Sequence, residues 1–279
     1  MEVNIMGYSI FDDTMVDLTW EKVDELVKEN AIVLLPTGVI EAHGPHMCLG
    51  VDTYGSYIKC KLIKESLETK GIKTLIAPPY YWGINNMTGD FPGSFTVRKA
   101  TMKALIYDIL CSLRRWGVKY VFNINHHGDV EHCTTLFEAI EEARVDIGIR
   151  AFSIISEFDA KRFGFTGQEN HILICKDEET NTSDSFNNEY IDIHAGEGET
   201  SMMLKYFPNQ VNTQKAKELK PTNLKFDDLM EWRKGWSDAR KLTPLCYFGD
   251  PASYDKVDGS CDETVAQISN LISDFLDNI

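Results

Sequence analysis

Residues 31–46 read Ala31-Ile32-Val33-Leu34-Leu35-Pro36-Thr37-Gly38-Val39-Ile40-Glu41-Ala42-His43-Gly44-Pro45-His46. The apolar run from Ala31 to Leu35, stopped by Pro36, has the composition of a buried strand entering a loop. The loop then carries Glu41 and His43 two residues apart. In extended chain such residues point to the same side, so both side chains can face one cavity.

The flanking sequence alternates helix and strand signals. Trp20 to Asn30 has Val23, Leu26 and Val27 at helical spacing. After the loop, Asp52 or Thr53 is predicted to cap a helix that runs to Lys70 and ends at Gly71. Lys73 to Ala77 is a second strand, stopped by Pro78-Pro79, and Val97 to Trp116 a helix closed by Gly117. Lys119 to Ile124 is a third strand, Glu131 to Val145 a helix and Ile149 to Ile155 a fourth strand. This order predicts an α/β fold, a mostly parallel sheet with helices on both faces, whose ligands bind beyond the carboxyl ends of the strands. Residues 163–193 are polar and acidic, and are expected to form an insertion or lid, with a solvated loop without function as the alternative. Helices are predicted to start near Glu197, to run around Asp228 to Lys241, and to run from Glu263 to Leu276. With no repeat, low-complexity tract or linker, residues 1–279 read as a single domain.

Composition excludes several classes. The formal net charge of -15 argues against nucleic-acid or anionic-membrane partners, which require clustered Lys and Arg. Met1 to Met6 has no basic segment and no long apolar segment, unlike a signal peptide. No apolar run approaches the ~20 residues that span a bilayer. The seven cysteines are scattered without a Cys-x-x-Cys pair, against a disulfide framework or a zinc knuckle. A soluble cytoplasmic protein acting on a small molecule is expected.

A second cluster, Asn125-His126-His127-Gly128-Asp129, follows the third strand just as Glu41 and His43 follow the first. Imidazoles suit Zn²⁺, Mn²⁺ or Fe²⁺, and several carboxylates offset the charge of two ions held close together. The residues expected around two divalent ions, Zn²⁺ ahead of Mn²⁺ or Fe²⁺, are Glu41, His43, Asp52, His127 and Asp129, with Asp52 able to bridge. His126 and His132 are expected at the surface or behind the ligands. His46 is either a substrate contact or a structural hydrogen-bonding group. A third stretch, His194-Ala195-Gly196-Glu197-Gly198-Glu199-Thr200-Ser201, offers Glu199 as ligand or water-positioning group and His194 as proton donor. It also reads as a glycine-rich turn in which Thr or Ser caps a helix. Residues 78–94, rich in aromatics and glycines, could wall a pocket or pack between subunits. No nucleophile elbow, P-loop or dinucleotide fingerprint is present. The residues therefore read as a metal-dependent hydrolase.

At these three motifs the sequence resembles the creatininase (creatinine amidohydrolase) family. Its members show Pro-x-Gly-x-x-Glu-x-His-Gly-x-His, then Asp, an Asn-Gly-His loop and His-Ala-Gly-x-x-Glu-Thr-Ser. These correspond here to Pro36 through His46, Asp52, Asn125-His126-His127 and His194 through Ser201. The resemblance implies a three-layer α/β/α fold, a homo-oligomer (commonly a hexamer) and a Zn, Mn or Fe site. Glu41, His43, Asp52 and His127 match the family's ligands, and Asp129 falls where creatininase itself has a ligand Glu. Glu199 matches the motif's Glu, and His194 the proton donor. His126 replaces the usual Gly, and Tyr190-Ile191 stand where creatininase has a Trp-Asp pair, so the resemblance implies a reaction class rather than creatinine itself. Hydrolysis of a small cyclic amide or other C–N bond is the expected reaction. Ring opening of a cyclic ketone such as an inosose, and metal binding without turnover, are the alternatives.

Overall fold

A computed structural model describes residues 9–176 and 191–278. In chain order the main elements are α1 (Trp20–Lys28), β1 (Ile32–Thr37), α2 (Val51–Thr69), β2 (Thr74–Ile76), α3 (Lys99–Trp116), β3 (Tyr120–Asn125), α4 (Val130–Ile147), β4 (Arg150–Ser156), α5 (Glu157–Phe163), β5 (Ile172–Cys175), α6 (Glu197–Tyr206), α7 (Thr213–Glu218), α8 (Phe226–Trp232), α9 (Trp236–Leu242) and α10 (Asp262–Asp277).

The pleat of β1 sets the layers. Ile32 and Leu34 enter one core with Tyr57, Ile63 and Leu67 of α2 and Val265, Ile268 and Ile272 of α10. Val33 and Leu35 enter the other, with Met102, Ile106, Leu110 and Leu113 of α3 and Leu136, Ile140 and Ala143 of α4. The fold is thus the three-layer α/β/α arrangement that the strand–helix alternation predicts. Strand order is β2-β1-β3-β4-β5 and every pairing is parallel. After β2 the chain crosses back over β1 to lay down β3, so the connections leaving β1 and β3 diverge and open a crevice at their carboxyl ends.

Four expectations are corrected. β1 runs through Pro36 to Thr37 instead of stopping before it. The Pro36 carbonyl accepts from the Tyr80 N–H, on the side where β2 has already ended at Ile76, so the missing proline N–H costs no ladder bond. Gly50, not Asp52 or Thr53, is the N-cap of α2; Asp52 lies within the first turn and is free to face the crevice. The stretch expected as an irregular lid contains β5, which extends the sheet beside β4; its residues 177–190 lie outside the described residues. The helix expected around Asp228 to Lys241 is two helices, because the chain turns at Gly235, whose φ is +74° and where an added Cβ would lie 2.6 Å from the Asn86 carbonyl oxygen. The seven cysteines are all free. Among the described residues no helix is long and apolar enough to cross a membrane.

Candidate metal centre

Five side chains from four separate parts of the chain meet at the crevice. Glu41 and His43 come from the loop after β1, Asp52 from the first turn of α2, His127 from the loop after β3 and Glu199 from the first turn of α6. Ligand-type atoms of Glu41, Asp52 and His127 come together, as do those of His43, Asp52 and Glu199 and those of Glu41, His43 and His194. Asp52 belongs to the first two groups and turns a different oxygen to each imidazole. Its Oδ2 is 2.9 Å from His127 Nδ1 and its Oδ1 is 3.5 Å from His43 Nε2. That is how a bridging carboxylate would be placed.

The backbone fixes which nitrogen of each imidazole faces inward. His43 Nδ1 lies 3.2 Å from the Glu41 carbonyl oxygen and His127 Nε2 lies 3.1 Å from that of Ile84. A carbonyl only accepts, so those nitrogens carry protons and the opposite ones turn lone pairs to the carboxylates, the setting a ligating imidazole takes. His43 Nε2 is buried and has no hydrogen bond, with Asp52, Glu199 and Glu41 oxygens at 3.5, 3.6 and 3.9 Å. Burial opposes charging it, yet Glu199, Asp52 and Glu41 together push its pKa up to about 10. Burial likewise opposes, and Glu41 and Asp52 overcome, the charging of His127, whose pKa is raised well above the usual imidazole range. Three carboxylates around two inward-facing imidazoles demand positive charge, which divalent ions would supply. The donor set therefore fits divalent metal ions.

A second layer of contacts holds these groups. The Thr88 hydroxyl donates to Glu41 Oε2, leaving Oε1 3.0 Å from His127 Nδ1. The Ile84 N–H donates to His132 Nδ1 at 3.3 Å while the Ile84 carbonyl takes the His127 proton, so His132 braces His127 through one residue's backbone. His126 lies along α2 against Gly55 and accepts at Nδ1 from the Lys59 ammonium, 3.0 Å away. His132 is buried and His126 partly buried beside the carboxylate–imidazole cluster, and neither belongs to the groups able to hold an ion among the described residues.

His46 is structural. Its Nε2 lies 2.8 Å from Thr200 Oγ1, and that hydroxyl donates to the Gly196 carbonyl, so His46 is the donor. Burial, then the nearby His43 and His194, push its pKa down to about 4. The unfolded chain takes up this proton near pH 6.5 and the folded protein only near 4. The stabilising effect of the neutral ring is therefore intact above pH 6.5 and is lost as pH falls through that window. Urea melts at pH 7 and pH 5 are expected to show a smaller acid loss for His46→Asn than for wild type; equal losses would refute the assignment.

Asp129, expected among the ligands, has backbone partners for both carboxylate oxygens. Its Oδ1 accepts from the Glu131 and His132 N–H groups, capping α4, and its Oδ2 from the Asn86 N–H at 2.9 Å. Among the described residues it joins none of the groups able to hold an ion. Glu199 stands in the cluster, its Oε2 3.6 Å from His43 Nε2. His194 places Nε2 2.8 Å from the Ala42 carbonyl oxygen and turns Nδ1 toward Glu41 Oε1, 4.0 Å away.

Gly38 is needed for close approach. A Cβ there would lie 2.8 Å from the Asp52 carbonyl carbon and oxygen, and this backbone cannot swing aside as a side chain can. Gly38→Ala is expected to lower unfolding free energy by about 1–3 kcal/mol, as overpacking does, and to weaken metal retention by shifting Asp52. A urea melt and a metal assay on one preparation check both effects.

The cluster forms one pole of a cavity of about 880 Å³, whose other walls include Met87, Ile191, Leu229, Trp232 and Arg233. Sequence reasoning missed Thr88, the Ile84 backbone and these tail residues. The glycine-rich stretch 78–94 marked the loop that carries Thr88 and Ile84. Nothing in the tail, where no motif is repeated, marked Trp232 or Arg233.

The profile of the family described as Creatininase, creatinine amidohydrolase, matches residues 16–272. A creatinine amidohydrolase of Pseudomonas putida is 28% identical over 159 residues, 54% of this chain and 57% of that protein. A mycofactocin precursor peptide peptidase of Mycolicibacterium smegmatis is 30% identical over 101 residues, 36% of this chain and 41% of that protein. The matched stretches thus span about half the length of these two relatives. A mutant creatininase of the Zn-Zn type shares the fold with a TM-score of 0.65 at 20% identity, covering 97% of this chain and 98% of its own.

Proposed function

Because the chain belongs to the creatininase family, we propose that it is a metal-dependent hydrolase that cleaves a small cyclic amide or another C–N bond. The observation that carries this reading is the setting of His43 and His127, whose outer nitrogens are tied to backbone carbonyls and whose inner nitrogens face shared carboxylates. Glu41, Asp52 and His127 would hold one divalent ion and His43, Asp52 and Glu199 the other, with Asp52 bridging. Bound there, Zn²⁺, Mn²⁺ or Fe²⁺ supplies Lewis acidity, which lowers the pKa of water toward neutrality and polarises the carbonyl under attack.

The remaining roles fall to the chain's own side chains. Glu199 is anchored by the Ala195 N–H at 2.6 Å and orients the attacking water. His194, its ring fixed through the Ala42 carbonyl, carries a proton at Nδ1 to the leaving nitrogen. Zn²⁺ is the first ion to test, and a cytoplasmic homo-oligomer accompanies the same reading.

Metal content by plasma mass spectrometry on anaerobically purified protein is the test. It is followed by a turnover screen of cyclic ureides and formamides against oxidised inositols. About two ions per chain and hydrolysis of an amide are expected. Ketone ring opening alone would move the reaction class, and bound metal without turnover would leave a binding protein.

A further inference from the structure

Arg233 is half-buried in the wall of the same cavity that holds Glu41, Asp52 and His127. Among the described residues its guanidinium makes no hydrogen bond and no ion pair. This is unexpected in a chain with 43 acidic and 28 basic residues, where carboxylate partners are abundant. The charge that acts on it is a second cation, Arg162: burial first, and then the Arg162 guanidinium, hold the pKa of Arg233 below its usual value.

Arg162 lines the cavity too. Its Nη2 donates to the Gly128 carbonyl at 2.8 Å and its Nη1 lies 3.5 Å from Asp159 Oδ1, while its Nε is buried without a partner. Two guanidiniums lining one cavity, one with no ion pair among the described residues and the other with a buried Nε unused, form a donor set suited to an oxyanion. The carboxylates of the metal pole face His43 and His127, and the cavity's other carboxylates, Glu157, Asp159, Asp192 and Glu197, make no ion pair with Arg233 among the described residues.

We propose that Arg162 and Arg233 clamp an oxyanion, the carboxylate or phosphate of a substrate whose scissile bond lies at the Glu41–Asp52–His127 pole of the cavity. The clamp rests on the hydrolase reading only for the identity of that scissile bond; the anion site itself does not require turnover.

The test is calorimetric titration of the purified protein with inorganic phosphate and, separately, with succinate. Wild type, Arg233→Gln, Lys234→Gln and Asp52→Ala are compared. At least one anion is expected to bind wild type, and the stronger of the two identifies the oxyanion. Arg233→Gln is expected to weaken it by about tenfold or more, the effect of losing a charge-assisted hydrogen bond. Lys234→Gln, at an exposed neighbour paired with Glu231, should match wild type. Asp52→Ala should still bind. Failure of both anions to bind at millimolar concentration, or equal binding by wild type and Arg233→Gln, overturns the clamp. So does binding lost in Asp52→Ala but kept in Arg233→Gln, which would put the anion at the metal pole. Metal content and turnover are read separately. A chain that binds the anion through Arg233 but holds no metal keeps the clamp and ends the hydrolase reading. A metal-loaded chain that hydrolyses an amide while wild type and Arg233→Gln bind neither anion, or bind it equally, does the reverse.

Discussion

Asp52→Ala is expected to purify without bound transition metal and to lose turnover by at least about a thousandfold, the several kcal/mol of charge stabilisation that paired ions supply. The size follows from sharing. Asp52 turns one oxygen toward His127 and the other toward His43, so a single truncation strips a ligand from both proposed ion positions. It also takes from two buried imidazoles a carboxylate that compensates them, and Asp52 itself has its pKa held well below the ordinary range, against burial, by His127 and His43. Asp52→Asn keeps the shape with one acceptor and is expected to retain the fold while holding metal poorly. Plasma mass spectrometry together with far-ultraviolet circular dichroism separates these effects. A folded Asp52→Ala protein that carried its full metal complement would refute the bridging assignment.

The second large effect is expected at His194. Its ring lies 4.3 Å from that of His43, between centroids, but its own nitrogens look elsewhere, one to the Ala42 carbonyl and the other to the edge of the cluster. His194→Asn can keep the Ala42 contact and should keep the metal. Its kcat is expected to fall by roughly 10²–10⁴, the usual contribution of a positioned general acid, with KM little changed. The loss should shrink on substrates whose leaving nitrogen departs without a proton. Equal losses on good and poor leaving groups, or loss of metal with activity, would make His194 a ligand instead.

Much of this was legible because two features leave strong local marks. Continuous apolar runs such as Ala31 to Leu35 mark strands buried on both faces, and carboxylate–imidazole pairs directly after them mark the ends where an α/β sheet binds ligands. Asp129 shows where such marks leave two roles open. A carboxylate one residue before a helix is as well suited to capping as to ligation, and the Asn86 N–H that Asp129 also holds is a partner far away in sequence. β5 was hidden because a four-residue strand at the sheet edge, partly exposed, has too short a pattern to stand out from polar flanks. Arg233 was hidden for a different reason: an unpaired guanidinium can be recognised only once its surroundings are known.

The dispersal of the five proposed ligands over residues 41–199 has a thermodynamic consequence. No contiguous fragment of the chain short of that span can assemble the site, so ion affinity belongs almost wholly to the native state. By linkage, an ion present at a thousand times its dissociation constant adds about 4 kcal/mol to the unfolding free energy. The melting temperature of the protein is therefore expected to rise with free metal and drop on chelation, and free metal would then set how much of this chain stays folded.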